Sequence, residues 1–383
     1  MRNRLIYYCE FSIGGIARNS IEQATAIARR QVEVLFLCPN DWNPEIKTEN
    51  LRVVSCLNPG PKHGQYPKIV SRIFNVQKIL CNAIILSYYI WKNKANTVMF
   101  GCFSEYLAPV WVPMIKLFTK RDVVFGAMAL DPVRDYVVGP LWWHRWSIAT
   151  AYSLFGEIFL HKEIELDTVR PVSGQRVTVI PHGPYEYPPW PDALASTRKE
   201  WGIPNDAKVF ISFGHLRTNK NLILIFEAMK ELPENVFLLV VGSEAAPGQM
   251  TSSGYRNAAR KAGVAERVRF IIRYVGDEEV NRFFGAADYA IMAYSKSFRS
   301  TSGILHIAAP LRLPVLVSCG DAPLGSMVEN YHLGIRITPD SVDEIASGMY
   351  KLVSENFQGD WDRFEADFSY DENARIVIAR MFD

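Results

Sequence analysis

Residues 210–229 read FISFGHLRTNKNLILIFEAM, and this stretch decides the fold. An apolar run stops at Gly214, and His215, Arg217 and Lys220 crowd the next six residues before a helix begins. A strand that ends in glycine and re-enters a helix leaves free backbone N–H groups at the helix start. Those groups and the helix dipole favour anions. Two cationic side chains at the same turn add full positive charge, so the stretch reads as a phosphate-holding βα loop.

Working outward, the second half repeats the pattern, with apolar runs at 208–213, 236–241, 268–274, 289–293 and 314–318 separated by helical stretches. The first half does the same, with strands expected at 5–10, 32–38, 51–56, 97–103, 122–130 and 156–161. Helices are expected at 20–30, 66–93 and 105–119 between them. Continuous apolar strands separated by helices imply parallel sheets covered on both faces. Each half therefore reads as a doubly wound, Rossmann-like α/β domain, and 383 residues is the length of two such domains. PHGPYEYPPWPDA (181–193) carries five prolines, which neither helix nor strand interior accepts. The expected division is 1–183, a linker over 184–200, a second domain over 201–365, and a terminal helix over 366–383 that crosses back to the first domain.

A net charge of +2 argues against nucleic acid as a partner, but its distribution is uneven. Residues 1–190 hold 21 Lys+Arg against 15 Asp+Glu, and the remainder holds 21 against 25. A basic, aromatic first half suits an anionic substrate or a membrane surface, and equally an ordinary solvated face. Cys9, Cys38, Cys56, Cys81, Cys102 and Cys319 show no metal spacing and read as reduced thiols of a cytoplasmic protein. The N-terminus lacks a signal-peptide pattern, and the charge-free run ILCNAIILSYYIW (79–91) is shorter than the ~20 residues that span a bilayer, so a soluble or peripheral protein is expected.

In open α/β sheets ligands bind at the strand C-termini, and two such domains would share a cleft. The loop after the first strand contains Gly14-Gly15, where the backbone can turn sharply towards a ligand; G-x-G-x-x-G is absent, against NAD or FAD there. In the second half, FGHLRTNKN resembles the phosphate-gripping loop of GT-B glycosyltransferases of the GT4-like group. The resemblance puts Lys220 on the donor diphosphate, with His215 where an arginine usually stands and Arg217 supplying that charge. Gly214 ends the strand, and FLLVVGSE is similar to the next strand and its turn at Gly242. Arg273, Tyr274 and Val275 match the turn that cradles the nucleotide base. RSTSGILHIAAPLRLPVLVS resembles the loop whose backbone amides bind the β-phosphate. Thr301 or Ser302 would cap its helix, with Gly303 and Ile304 close to the ligand. One departure stands out. The family's paired glutamates are replaced by Arg299 and Ile307, and His306, one position earlier, is left as the candidate for the ribose or as a core residue. This TSG pattern, together with PHG at the end of the first domain, is most similar to a bacterial polysaccharide-biosynthesis subgroup.

In the first domain, AMALDPVRDYVVGP (127–140) runs a strand into Asp131-Pro132. Asp131 is read as a general base for an inverting reaction, as an acceptor-orienting group for a retaining one, or as a plain turn former. Arg134 would meet an acceptor phosphate or pair with Asp135, and His182 would reach the cleft from the hinge. The aromatic, basic stretches 66–93 and 141–155 read as helices packed on the sheet or as interfacial helices at a membrane.

The resemblance thus implies a GT-B, metal-independent glycosyltransferase that needs no cofactor. It would move a hexose-type sugar from a UDP- or GDP-linked donor to a glycan or lipid-linked acceptor, in the cytoplasm or at the inner face of the membrane. Two alternatives stay open: a catalytically silent GT-B-fold glycan- or partner-binding protein, and a nucleotide-sugar epimerase.

Overall fold

The computed structural model describes residues 3–382 apart from 46–47, 62–65, 106, 120–121, 131–136, 138, 164, 245–248 and 300–301. The chain divides into two compact units, Met1–Gly183 with Phe368–Asp383, and Pro184–Asp367.

The first unit runs β1 (Arg4–Tyr8), α1 (Gly14–Arg29), β2 (Glu33–Pro39), β3 (Leu51–Leu57), α2 (Lys68–Asn93), β4 (Thr97–Phe100), α3 (Ala108–Phe118), β5 (Val124–Met128), α4 (Leu141–Tyr152), β6 (Glu157–Leu160) and β7 (Arg176–Val179). Among the described residues these strands form one parallel sheet in the order β3-β2-β1-β4-β5-β6-β7. Side chains alternate along β1 as a pleated strand requires. Ile6 and Tyr8 join the core that includes Leu86 of α2, Trp111 of α3 and Ile148 of α4. Leu5 and Tyr7 join the core under α1.

The second unit holds α5 (Ala193–Glu200), β8 (Lys208–Phe213), α6 (Leu222–Ala228), β9 (Val236–Gly242), α7 (Ser252–Lys261), β10 (Val268–Ile272), α8 (Asp277–Phe284), β11 (Tyr289–Ala293), α9 (Gly303–Ala308), β12 (Val315–Ser318), α10 (Pro323–Asn330), β13 (Gly334–Arg336), α11 (Val342–Ser354) and α12 (Trp361–Asp367). Its parallel sheet has the order β10-β9-β8-β11-β12-β13. β9 and β11 are buried along their whole length, as expected of strands covered on both faces. A final helix, α13 (Tyr370–Phe382), packs on α1 in the first unit. A polar chain fixes it there: Tyr7 donates to Gln23 (2.6 Å), Gln23 to Asn373 (2.7 Å), and Asn373 to the Pro181 carbonyl (2.8 Å).

Several expectations need correcting. The stretch read as a linker over 184–200 contains α5, which packs on α8 inside the second unit. Its Arg198 is 2% exposed and donates to the carbonyls of Asn205, Ala207 and Ala286 and to Asp288. Gly14 and Gly15 are the first residues of α1 rather than a loop before it. The strands β7 and β13 were not delineated from sequence. Both are short and their side chains are largely not buried, so they lack a long apolar run. Lastly, Ile69–Asn93 is one helix that includes an 18-residue window of mean hydropathy 1.4, so by length and composition it could cross a membrane, which the 13-residue charge-free run did not disclose.

Candidate active site

In the second unit the strand order reverses between β8 and β11. The helices after these strands cover opposite faces of the sheet, so their loops diverge and open a crevice at the strand C-termini. Both loops carry polar and charged side chains.

After β8 the chain turns at Gly214, whose φ of +93° is left-handed territory. Gly214 N–H donates to Val241 O (2.9 Å), and a Cβ on Gly242 would lie 2.1 Å from Gly214 O. The two strand ends therefore touch backbone to backbone, with Gly242 the residue that permits it. Leu216 N–H bonds Ser243 O (2.9 Å), and His215 Nδ1 pairs with Ser243 Oγ (2.9 Å).

Lys220 lies in a single 3-10 turn, Thr218–Lys220, and Asn221 in the left-handed conformation (φ 53°) separates this turn from α6. The seven-residue helix thus does not begin at the cations, and the positive field here comes from side chains rather than from a long helix dipole. Lys220 Nζ donates to Phe213 O. Burial of the ammonium, and secondarily the Arg217 guanidinium, bring its pKa from 10.5 down to about 7. The side chain as a whole is only half-buried, so it is the enclosed ammonium that feels this environment. His215 is pushed down as well, by burial first and then by Arg217 and Lys220. Lys220 and His215 are thus both depressed beside the Arg217 guanidinium, as expected where basic groups crowd together.

The loop after β11 is tied to this one. Ser295 N–H donates to Asn219 O (2.9 Å), and Asp340 accepts from Asn221 Nδ2 (2.9 Å) and from Lys296 N–H (3.0 Å). Tyr294 stacks on Phe298 with ring centroids 3.9 Å apart, and its hydroxyl meets Ser302 Oγ at 3.0 Å. Burial lifts the Tyr294 phenol to about 12, against the Ser302 hydrogen bond and Arg217, which lower it. Ser302 stands at the N-cap position of α9 but makes no cap hydrogen bond, because its hydroxyl is turned to Tyr294. Gly303 and Ile304 open α9, and a Cβ on Gly303 would lie 3.2 Å from the Tyr185 ring. Tyr294 and Asp340 were not singled out from sequence. Tyr294 directly follows the buried strand β11, which is a signal; Asp340 is far along the chain and gives none.

Other expected residues are placed differently. His306 is 1% exposed with its ring 5.7 Å from Phe364, so its imidazole lies inside the unit rather than at the crevice. Arg273 is committed to Glu279 through two 2.6 Å hydrogen bonds and leans on Phe283, which fixes the turn. Tyr274 beside it is 49% exposed, while Val275 is buried. His182 is buried in the first unit, 4.6 Å from the His161 ring, and its Nδ1 donates to Gly183 O (2.7 Å). Burial drives His182 to about 4 and His161 to about 3, so both imidazoles are neutral near pH 7. Asp131, Arg134 and Thr301 lie outside the described residues.

Two parallel sheets, each with a strand-order reversal, in one chain have the fold of GT-B glycosyltransferases. The solved structures agree: a glycosyltransferase from Rickettsia africae matches over 99% of this chain and 98% of its own, with a TM-score of 0.68 at 13% identity. Anabaena HepE in complex with UDP and glucose matches over 100% and 96%, with a TM-score of 0.61 at 13% identity. The family model described as glycosyl transferases group 1 matches residues 195–375, which fall almost wholly in the second unit. Among curated relatives, a D-inositol 3-phosphate glycosyltransferase of Corynebacterium efficiens is 32% identical over 144 residues, 34% of each chain. One of the same name from Streptomyces coelicolor is 29% identical over 185 residues, 46% of this chain and 37% of its own. The chain thus spans about a third of the length of these relatives.

Proposed function

We propose that the protein transfers a hexose-type sugar from a UDP- or GDP-linked donor to a glycan or lipid-linked glycan acceptor in polysaccharide biosynthesis. The observation that carries this reading is the Gly214–Lys220 loop. There the Lys220 ammonium, the Arg217 guanidinium and the His215 imidazole cluster at the sheet's switch point, and Arg217 lowers the pKa of the other two. A nucleoside diphosphate is the anion that fits. As the glycosidic bond to the donor breaks, charge builds on the departing diphosphate, and Lys220 and Arg217 would stabilise it there without a metal or other cofactor. Backbone N–H groups near Gly303, with Ser302, would hold the β-phosphate, and exposed Tyr274 would meet the base. Asp131 and Arg134, with His182 behind them, would serve the acceptor.

A lipid-linked acceptor is favoured by the helices of the first unit. α3 packs on both α2 and α4, and none of the three contains a carboxylate. Ile69, Ile73, Trp91, Leu117 and Trp142 are each more than half exposed on them, beside Lys92, Lys116 and Arg145. An apolar, cationic face suits the anionic cytoplasmic leaflet. Calorimetric titration with UDP, GDP, ADP and dTDP tests the donor assignment. Micromolar binding of one uridine or guanosine diphosphate, followed by hydrolysis or transfer from its sugar ester, is expected. Binding of none of the four would end the glycosyltransferase reading.

A further inference from the structure

The first unit has its own strand-order reversal, between β1 and β4. At the C-terminal ends of these strands Tyr8 and Phe100 stand side by side in register. They begin a small pocket, open at its mouth, between the sheet and helices α2 and α3. Phe103, Trp111, Ile79 and Ile115 supply its apolar walls.

Glu10 is the one ionisable carboxyl lining this apolar pocket. It is 7% exposed, and among the described residues its carboxylate has a single, long hydrogen bond, from the Tyr8 hydroxyl at 3.4 Å. The nearby cation, Lys78, donates instead to the Glu10 backbone carbonyl (3.4 Å) and lies 5.5 Å from the Phe11 ring. A buried carboxylate normally collects two or three donors, because leaving its oxygens unpaired costs more than the bonds return. Here the protein leaves that capacity facing an apolar space. Burial raises the carboxyl pKa, against the Lys78 charge and the Tyr8 hydrogen bond.

We infer that this pocket binds an apolar alcohol, whose hydroxyl donates to Glu10 while its hydrocarbon part fills the space lined by Phe100, Phe103 and Trp111. The inference rests on the glycosyltransferase reading above and deepens it. The acceptor becomes an amphiphile whose hydrocarbon portion is held by the first unit, not a wholly hydrophilic glycan. Glu10 is then a positioning residue for that acceptor.

The test uses the full chain and two isomeric probes, 1-hexanol and butyl ethyl ether, followed by saturation-transfer NMR titration. Hexanol should bind in the millimolar range or tighter, and the ether about tenfold more weakly, since it brings no donor to a buried charged acceptor. Glu10→Leu, which removes the acceptor and adds no donor, should remove the preference for the alcohol while leaving ether binding largely unchanged, a pattern that mere loss of packing would not produce. Ala83→Phe, which fills the pocket from α2, should abolish binding of both. If its melting shows a misfolded chain, Ile79→Phe at the half-buried rim blocks the same space. Equal binding of alcohol and ether, or a preference that survives Glu10→Leu, overturns the inference. Nucleotide titration of the same preparations separates the two readings. Nucleotide binding without hexanol binding refutes this pocket alone. Hexanol binding without nucleotide binding refutes the donor reading and leaves the pocket standing.

Discussion

Replacing Lys220 with methionine should make the empty protein more stable and the donor site useless. An unfolded lysine titrates near 10.5, whereas the folded one titrates at about 7. Between those pH values the unfolded chain holds a proton that the folded chain has shed. Stability therefore rises with pH through that window, and the full penalty is present below pH 7. At 1.36 kcal/mol per unit the shift has an upper bound of about 5 kcal/mol. The half-buried side chain reduces this by solvent screening to the order of 1–2 kcal/mol. Lys220→Met also gives up the hydrogen bond to Phe213 O. The expected net gain is about 1 kcal/mol, which raises the melting temperature by roughly 2–4 °C at pH 7.

Ligand binding moves the other way. Only the protonated lysine attracts a diphosphate, and its protonated fraction falls from about 0.9 at pH 6 to about 0.1 at pH 8, so wild-type affinity for a nucleotide sugar should drop about tenfold across that range. The methionine variant should bind about 10- to 100-fold more weakly at pH 6, the value of one charge-assisted contact, with a flat pH profile. Differential scanning calorimetry and isothermal titration at pH 6, 7 and 8 read both effects. A variant that melts lower and binds as tightly as wild type would refute the reasoning.

Three further outcomes are expected. Arg198→Met deprives the buried Ala207 and Ala286 carbonyls, the Asn205 carbonyl and the partly exposed Asp288 of their shared donor, and denaturant unfolding should show a loss of about 2–4 kcal/mol. Gly242→Ala would force its Cβ against Gly214 O, so the donor loop should shift; nucleotide affinity should fall at least tenfold, and a variant that binds normally would show the strand ends to be free to separate. The neutral pair His161 and His182, at about 3 and about 4, contributes stability fully present above pH 6.5 and lost as pH falls from 6.5 towards 4. Urea midpoints across that range should drop less steeply in a His161→Gln/His182→Gln double variant.

The alternation of apolar strand and amphipathic helix follows from local sequence, because a strand buried on both faces must be apolar along its length. That rule makes β8, β9 and β11 legible, and with Gly214, Arg217 and Lys220 it makes the donor loop legible too. β7 and β13 escape it because each is only a few residues long and its side chains are largely not buried. Charge and spacing placed Lys220 but could not show that its ammonium is enclosed beside Arg217, which is what brings its pKa to about 7. His306 looked available because a polar residue on a short helix can face either way; packing against Phe364 turned it inward. Asp340 joins the site across more than a hundred residues of chain, through hydrogen bonds that no local pattern encodes. Glu10 is the plainest case. In sequence it is the acid that ends the expected strand 5–10, and only the approach of α2 and α3 over the sheet buries it against an apolar pocket. Side-chain chemistry is local, whereas desolvation and charge proximity depend on which distant segments meet, and that belongs to the tertiary structure.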